Sequence, residues 1–207
     1  MQFFEIYKGV RKIYHGIRNL VERLHCHIAL KGNNASHSSF SSTGIRYICV
    51  AIGGARILGK NFSVHNGRRG NPITHSKPCT SFTGGRTTLT VGDNLRGSQT
   101  ATPCHIELQI GNNVKIGGGS CIYDTDFDAL NLGLETNPST NFKNKIGRLI
   151  AGNNVFIGTA INILKRVAIG DNSIVGKTSI ANKDIPANEF WTTREARFII
   201  AYQSEGR

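Results

Sequence analysis

The feature that most constrains the fold of this chain is a six-residue period in its C-terminal half. An aliphatic or small residue recurs every six positions, at Ala151, Ile157, Ile163, Ile169, Val175 and Ala181. A second small or aliphatic residue follows each of the first five by four positions, at Val155, Ile161, Val167, Ser173 and Ser179. An earlier block keeps the spacing at Cys104, Ile110, Ile116 and Ile122, and weaker copies begin at Leu58 and Val91.

A period of six excludes a long α-helix, whose period is about 3.6 residues, and a plain amphipathic strand, whose period is two. It is typical of a triangular β-solenoid, in which each unit supplies one short strand and one turn, and three units close a coil. The recurring Gly-Asn, Gly-Asp-Asn and Asn-Asn sequences fit the corners, because Gly and Asn accept positive φ at little steric cost. A β-sandwich does not predict a fixed register through five consecutive units. We therefore predict an all-β parallel solenoid over residues 45–190.

Residues 1 to about 28 show a helical period instead. Apolar side chains form one stripe, at Phe3, Ile6, Tyr7, Val10, Ile13, Tyr14, Ile17, Leu20, Val21 and Leu24. The other face is basic, with Lys8, Arg11, Lys12, His15, Arg18 and Arg23. We favour a helix docked on the body of the protein, and the alternative is a helix lying on an anionic membrane surface. Residues 1–44 are predicted to be this helix followed by a Gly/Asn/Ser-rich linker at 31–44.

The repeats break once and then end. Between Ile122 and about Ile150 the register is lost, and we predict an extruded loop over 123–150 that carries Asp124, Asp126 and Asp128. A long irregular excursion from a regular solenoid is usually functional. Pro186 stops the last coil, and the C-terminal tail at 191–207 is expected to cover the open end of the solenoid.

Composition limits the partners of the chain. Its 25 Lys and Arg against 13 Asp and Glu give a net charge of +12, but they are dispersed without interleaved aromatics, so we do not expect nucleic-acid binding. Five cysteines without a CxxC pair indicate neither a disulfide framework nor a zinc site, and no metal is expected. No apolar run is long enough to cross a bilayer, and no signal peptide opens the chain. We expect a cytoplasmic protein, with peripheral membrane contact through the helix as the alternative.

Two segments resemble the hexapeptide-repeat acyltransferases: IGNNVKIGGGSCIYDTDF at 110–127 and IGDNSIVGKTSIANKDIPANEFW at 169–191. The chain is most similar to the O-acetyltransferases of bacterial polysaccharide and capsule synthesis, with maltose and galactoside acetyltransferases as relatives. The resemblance implies a left-handed parallel β-helix, a homotrimer, and acetyl-CoA bound in the groove between two subunits. It also implies a single-step transfer, in which a histidine takes the proton of an acceptor hydroxyl that attacks the thioester.

The chain departs from the family at the base. The family motif Tyr-Asp-Thr-Asp-Phe-His ends here in Asp128, so Asp128 and Asp126 are the candidate catalytic residues. Aspartate is the weaker base near neutral pH, because its reference pKa is about 3.9 against about 6.5 for histidine. Burial and neighbouring carboxylates would raise that pKa and restore a base; otherwise Asp128 is a surface carboxylate. His105, in a repeat corner, is an alternative base that could line the cleft between subunits, but a corner residue is more often solvent-exposed. Cys121 is expected to be a small residue of the coil.

The resemblance also implies a cofactor site. The corresponding positions are Gly158, Thr159, Lys177, Asn182, Lys183 and Arg197. Lys177 and Thr178 replace the usual Ala and Gly, and Arg166 stands where the family has a turn glycine. If that turn needs positive φ, Arg166 is strained by on the order of 1 kcal/mol.

Two functions follow from these observations. The first is an acetyl-CoA-dependent O-acetyltransferase acting on a sugar or polysaccharide precursor, weakened by the exchange at Asp128. The second is a non-catalytic or degenerate trimer of the same fold with a structural or binding role. The sequence does not identify the acceptor.

Overall fold

A computed structural model of the chain describes residues 2–44, 47–66, 71, 79–125, 149–192 and 197–201. It begins with the helix α1 (Gln2–Gly32), and short strands follow in sets of three. Each set closes one coil of a solenoid, so that every third strand lies in the same sheet.

The first three coils contain strands of three or four residues. Coil 1 is β1 (Ala35–His37), β2 (Phe40–Thr43) and β3 (Tyr47–Val50); coil 2 is β4 (Ala55–Leu58), β5 (Phe62–His65) and β6 (Thr80–Thr83); coil 3 is β7 (Thr88–Val91), β8 (Arg96–Ser98) and β9 (Ala101–Cys104). Coil 4 is β10 (Glu107–Ile110), β11 (Lys115–Ile116) and β12 (Cys121–Ile122). Coil 5 is β13 (Leu149–Ala151), β14 (Phe156–Ile157) and β15 (Asn162–Ile163); coil 6 is β16 (Ala168–Ile169), β17 (Ile174–Val175) and β18 (Ile180–Ala181). The strands β19 (Glu189–Thr192) and β20 (Arg197–Ala201) follow.

The strands stack into three sheets, which we number by the order in which each coil visits them. Every pairing between coils is parallel within the described ranges, and the last pair, β19 with β20, is antiparallel. The register is kept across the excursion, because Leu108 pairs with Leu149 and Ile110 with Ala151. The predicted three-sided parallel solenoid is therefore confirmed.

The core is the stack that the six-residue period predicts. The side chains at the first position of each hexad from Ala151 to Ala181 are 3% exposed or less, and so are those at the second position. Because each coil buries them against the same positions of the next, the aliphatic side chains provide most of the hydrophobic stabilisation.

Six asparagines form a ladder along the first corner, between the first and second sheets. Each has positive φ, between 55° and 62°. Each except the last donates its side-chain N–H to the side-chain oxygen of the next over 2.9–3.0 Å, in the order Asn61, Asn94, Asn113, Asn154, Asn172 and Asn188. Asparagine therefore has two roles at this corner, since it tolerates the left-handed backbone and its side chain links neighbouring coils by hydrogen bonds.

The N-terminal region differs from our prediction. The helix continues to Gly32, and the segment predicted as a linker contains β1 and β2, which pair with β4 and β5 of the next coil. The helix docks only by its last three turns, where Glu22, Cys26 and Leu30 are buried against this first coil. Glu22 accepts a hydrogen bond from the Gly44 N–H over 2.8 Å and pairs with Arg18 over 2.7 Å. We expected the apolar stripe to make this contact, and that was wrong: the stripe is exposed.

The C-terminal tail extends one sheet. β19 adds to the second sheet beside β17, and β20 turns back beside β19, so the tail covers the edge of the second sheet. No helix among the described residues has both the length and the apolar character needed to cross a membrane.

Candidate functional site

The outer surface of the third sheet carries no charge in coils 4–6. We call this surface the third face, defined by Cys121, Tyr123, Asn162, Leu164 and Ile180. Their sequence neighbours Ile122, Ile163 and Ala181 point inward and are 1% exposed or less. Since side chains alternate along a strand, the five residues of the third face point outward.

The second corner, between the second and third sheets, forms one edge of this face and contains a glycine at each turn. A Cβ on Gly117 would lie 2.6 Å from the Gly158 carbonyl, and one on Gly158 would lie 2.9 Å from the Lys177 nitrogen. A Cβ on Gly176 would collide with Thr192. Close coil stacking therefore requires these glycines. All three glycines occupy the same hexad position, so the sequence alone could have indicated their role, but the resemblance selects only Gly158.

Thr159 and Lys177 follow this row of glycines in successive coils. Thr159 is half-buried and Lys177 exposed, and the Thr178 N–H donates to the Thr159 carbonyl over 2.9 Å. Ala160 and Thr178 have φ of 56° and 59°, although neither is a residue that favours this region. The structure thus brings Gly158, Thr159 and Lys177 together at one edge of the third face.

Asn182 and Lys183 lie on the opposite edge, at the third corner, between the third and first sheets. Both are exposed, and Arg166 is exposed on the same corner one coil earlier. Arg166 has a φ of 65°, so the turn does need positive φ, as its sequence position suggested. The third face is therefore neutral at its centre, with Lys177 exposed on one edge and, on the other, Lys183 and Arg166 beside the exposed carboxylate of Asp184.

Arg197 belongs to a different sheet. It begins β20, where its backbone pairs with Thr192, the residue that lies over Gly176. Arg197 therefore lies in the second sheet and not at a corner of the third face.

Asp124, the first aspartate of the predicted loop, is buried at the start of the excursion. Its Oδ2 accepts hydrogen bonds from the N–H groups of His105 (2.6 Å) and Ile106 (2.7 Å). Its Oδ1 is buried without a hydrogen-bond partner among the described residues. Asp124 therefore ties the loop entrance to the third corner of the preceding coil. Asp126 and Asp128, the predicted catalytic residues, lie outside the described residues.

His105 is placed differently from our prediction. It is half-buried, and its ring packs on the ring of Phe82, with centroids 5.0 Å apart. Phe82 pairs with Pro103 on the outer side of the third sheet, so the imidazole lies on the same side of the solenoid as the loop entrance. The sequence offers His105 as an alternative base but favours an exposed corner residue, because a histidine at a corner has no distinctive pattern.

The thiol and phenol nearby are held protonated. Burial, together with the charge of Asp124, raises the pKa of Cys104 to about 12, so this thiol is not a nucleophile near neutral pH. A hydrogen bond with Cys121, together with burial, raises the pKa of Tyr123 to about 12. Cys121 is a small strand residue, as we predicted. Within the described part of the chain, His, Cys, Asp and Glu side chains form no group of three that could hold a metal ion.

The sequence is similar to that of two curated proteins over part of its length. It is 30% identical over 102 residues to a presumed acetyltransferase of Schizosaccharomyces pombe, covering 47% of this chain and 45% of that protein. It is 57% identical over 37 residues to the galactoside O-acetyltransferase of Escherichia coli, covering 18% of each. The chain thus matches less than half the length of these relatives. No family model matches the chain.

Solved structures share the fold over most of the chain. A hexapeptide-repeat acetyltransferase of Vibrio cholerae has a TM-score of 0.55 at 18% identity, covering 92% of this chain and 93% of that one. A maltose O-acetyltransferase of Clostridium difficile has a TM-score of 0.52 at 19% identity, covering 89% and 88%. AntD, an N-acyltransferase of Bacillus cereus solved with dTDP and 3-hydroxybutyryl-CoA, has a TM-score of 0.51 at 15% identity, covering 86% and 87%.

These similarities confirm the resemblance that the two sequence segments carry. The chain has the left-handed parallel β-helix of the hexapeptide-repeat acyltransferases. Its sequence is similar to acetyltransferases in the regions that align.

Proposed function

We propose that the protein transfers an acetyl group from acetyl-CoA to a hydroxyl of a sugar or polysaccharide precursor, at the third face, in a homotrimer. One observation carries the proposal. The loop entrance at Asp124 and the cofactor candidates Thr159 and Lys177 occupy coils 4, 5 and 6 on the borders of one face. Because coils stack about 4.8 Å apart, Thr159 lies about 5 Å and Lys177 about 10 Å from Asp124 along the axis of the solenoid.

The second corner fits a thioester cofactor. Its glycines leave no side chain between the coils, so an extended arm can lie against the backbone beside Gly158 and Thr159. Lys177 on one edge and Lys183 on the other provide exposed ammonium groups for phosphates, and Arg197 is a third candidate. When bound, acetyl-CoA supplies the activated acyl group.

A flat sheet face cannot enclose a ligand alone. Two grooves of about 400 Å³ and 610 Å³ in this chain lie at its N-terminal end, beside β2 and α1, away from the third face. A second copy placed against the third face would supply the missing wall. The trimer that the resemblance implies is therefore part of the proposal.

The remaining requirement is a base that holds the proton of the acceptor hydroxyl while its oxygen forms the new ester bond. The thioester bond breaks, and the thiolate of CoA takes a proton as it leaves. Asp128 stands at the base position of the family, with a shorter and less basic side chain than histidine. His105 is a second candidate, since its ring lies beside the loop entrance.

A non-catalytic role is the alternative. The loss of the family histidine favours it, as do two strained non-glycine residues, Thr178 and Arg166, where the family has glycine. Binding and turnover separate the two functions.

Calorimetric titration with acetyl-CoA tests the cofactor site. We expect binding by the native chain and an about tenfold weaker Kd for Lys177→Ala, because a charge-assisted hydrogen bond contributes about 1.5–3 kcal/mol. Lys60→Ala is the matched control, since Lys60 is an exposed lysine four coils away, and its Kd should equal that of the native chain. No binding at millimolar acetyl-CoA, or equal loss in both variants, would contradict the proposed site.

Restoring the base tests the chemistry. Asp128→His should raise CoA release with a sugar panel by about 10²–10⁴, the usual contribution of general-base catalysis. Its rate should fall as the pH drops through about 6.5, because a protonated imidazole cannot accept the proton. Asp128→Asn is the isosteric control and should lower any native activity. If His105→Asn abolishes the native activity instead, His105 is the base. If Asp128→His binds acetyl-CoA without any gain, the non-catalytic role is correct.

A further inference from the structure

The helix α1 presents a long apolar stripe that nothing in the described chain covers. Eleven side chains of the stripe are between 55% and 83% exposed: Phe3, Ile6, Tyr7, Val10, Ile13, Tyr14, Ile17, Leu20, Val21, Leu24 and Ile28. From Phe3 to Val21 the helix is exposed on its other sides too, apart from the half-buried His15. A helix of this length gains most of its stability from packing, so the stripe requires a partner.

The solenoid cannot be that partner. The buried residues that dock α1 are Glu22, Cys26 and Leu30, on one side of the helix at its C-terminal end, and His27 at the edge of the stripe also contacts His37 of coil 1. At about 100° per residue, the three buried residues point about 180° away from the centre of the stripe. Docking on the body and covering the stripe up to Leu24 therefore use different faces and can occur together.

The stripe follows a seven-residue repeat through its first three heptads. Heptad position a holds Phe3, Val10, Ile17 and Leu24; position d holds Ile6, Ile13 and Leu20; position e holds Tyr7, Tyr14, Val21 and Ile28. The fourth d position is His27, which is half-buried and contacts His37 and Phe40 of coil 1. A repeat of seven kept through three heptads favours left-handed supercoiling with other helices. A surface helix that packs on a single globular body needs only the period of an α-helix, about 3.6 residues, and not a repeat of seven.

Two glycines on the flank of the stripe support close helix packing. Gly9 and Gly16 occupy position g, and a Cβ on either would meet nothing within 4 Å in this chain. Each destabilises an isolated helix by about 1 kcal/mol relative to alanine, and the fold of the single chain does not explain them. In a parallel coiled coil, position g faces position e of the neighbouring helix. Gly9 and Gly16 would there leave room for Tyr14 and Val21 of the adjacent copy.

We propose that α1 packs in parallel against the α1 helices of two other copies of this chain, as a three-stranded coiled coil. β-branched residues occupy both core positions in the first heptads, with Ile6 and Ile13 at d and Val10 and Ile17 at a, and this choice favours more than two strands. The stripe offers on the order of 1,000 Å² of apolar surface per copy, which is comparable to the roughly 800 Å² per partner of a stable interface. The proposal does not depend on acyl transfer.

An anionic membrane is the competing occupant. The helix carries six Lys and Arg against two Glu, a charge excess that suits an anionic lipid surface. However, Lys8, Arg11 and Lys12 lie on the side away from the stripe, where they would stand above the lipid headgroups. Neither the heptad period nor the two glycines has a role on a membrane. The observations therefore favour a second copy.

Disulfide trapping in the full chain tests the proposal. In Ile17→Cys the new thiols meet at the coiled-coil axis, so mild oxidation should link about two-thirds of the chains into pairs, since one thiol of each trimer stays single. In the control Lys12→Cys the thiol lies on the opposite side of the helix and should be linked at least tenfold less. The native chain, oxidised in parallel, measures the background from its five cysteines.

Equal linking of the two variants, or none in either, would overturn the proposal. A second measurement covers the membrane. The native chain is sedimented with vesicles of phosphatidylcholine and phosphatidylglycerol in a 3:1 ratio, a composition on the order of natural anionic surfaces. Co-sedimentation combined with no Ile17→Cys linking would assign the stripe to the lipid surface instead. Failure of the coiled coil would leave acetyl-CoA binding unchanged, so it is distinguishable from failure of the proposed activity.

Discussion

Coils 1–3 and coils 4–6 build the same three-sided prism from different interiors. From Lys115 to Ala181 the strands have two or three residues, and the interior is a stack of aliphatic side chains interrupted by the buried serines Ser120, Ser173 and Ser179. Up to Ile110 the strands have three or four residues, and the interior includes a buried arginine, Arg56, a buried threonine, Thr83, and an apolar cavity of about 60 Å³. The comparison teaches that the solenoid needs interstrand pairing throughout but an aliphatic stack only in part.

Arg56 shows how the first half keeps a polar interior. Its guanidinium donates to Thr83 Oγ1 over 2.8 Å, to the Ser81 carbonyl over 2.8 Å and to the Cys49 carbonyl over 3.1 Å. Burial lowers the pKa of this group to about 10, since the charge is removed from water. A buried polar group is tolerated where its hydrogen bonds are satisfied, so the polar coils remain compatible with the fold.

The largest expected difference between the two halves is the cost of truncating a core side chain. Ile163→Ala, in a stack with no exposed surface, should lower the free energy of unfolding by about 4 kcal/mol. Leu58→Ala, which borders the existing cavity, should cost about 2 kcal/mol, because fewer packed neighbours are lost. Urea unfolding of both variants measures the difference, and equal losses would contradict the contrast in packing.

The asparagine ladder should show an intermediate effect. Asn113→Ala removes the side-chain bonds to Asn94 and Asn154 and places alanine at a φ of 57°, so we expect a loss of about 2 kcal/mol. Asn113→Gly keeps the backbone relaxed and should lose about 1 kcal/mol. Asn188→Ala, at the last position of the ladder, removes only the bond from Asn172 at a similar φ of 62° and should lose less than Asn113→Ala. Identical losses at Asn113 and Asn188 would show that coil-to-coil side-chain bonding contributes little.

The smallest expected effects are changes of opposite sign in the free energy of unfolding when the same methyl group is added to the two halves. Val91→Ile adds a methyl group beside the cavity and should raise the free energy of unfolding by about 0.5–1 kcal/mol. Val175→Ile adds the same group to a fully buried site in coil 6 and should lower it by about 1 kcal/mol. Thermal unfolding of the pair measures both changes, and two losses would mean that the first half is as tightly packed as the second.

This contrast explains how much of the fold the sequence predicted. The hexad register is visible wherever Ile, Val or Ala fills the interior, so coils 4–6 and their corners were predicted in the correct place. The first two strands of coil 1 were taken for a linker, because Ser, Asn and Gly dominate 31–44 and the buried residues there follow no aliphatic period. Pairing with the next coil, a long-range contact, decides the structure of that segment.

The candidate site was predictable in part for the same reason. The resemblance selected Thr159 and Lys177 as cofactor candidates, and the hexad register places them at the same corner in successive coils. The packing of His105 on Phe82 and the capping of two N–H groups by Asp124 depend on contacts between coils. Nor did the helical period reveal which face of α1 meets the body, since the docking residues include the charged Glu22.

The in-register return of the chain after the excursion has a consequence for how such proteins can diversify. In coil 3 the third corner is crossed by His105 and Ile106 alone, whereas in coil 4 the chain leaves after Thr125 and resumes at Leu149. The described strands on either side of this stretch pair as they do in the other coils, so the pairing does not depend on how many residues separate Thr125 from Leu149. The stretch can therefore change in length or sequence at little entropic cost while the prism stays the same.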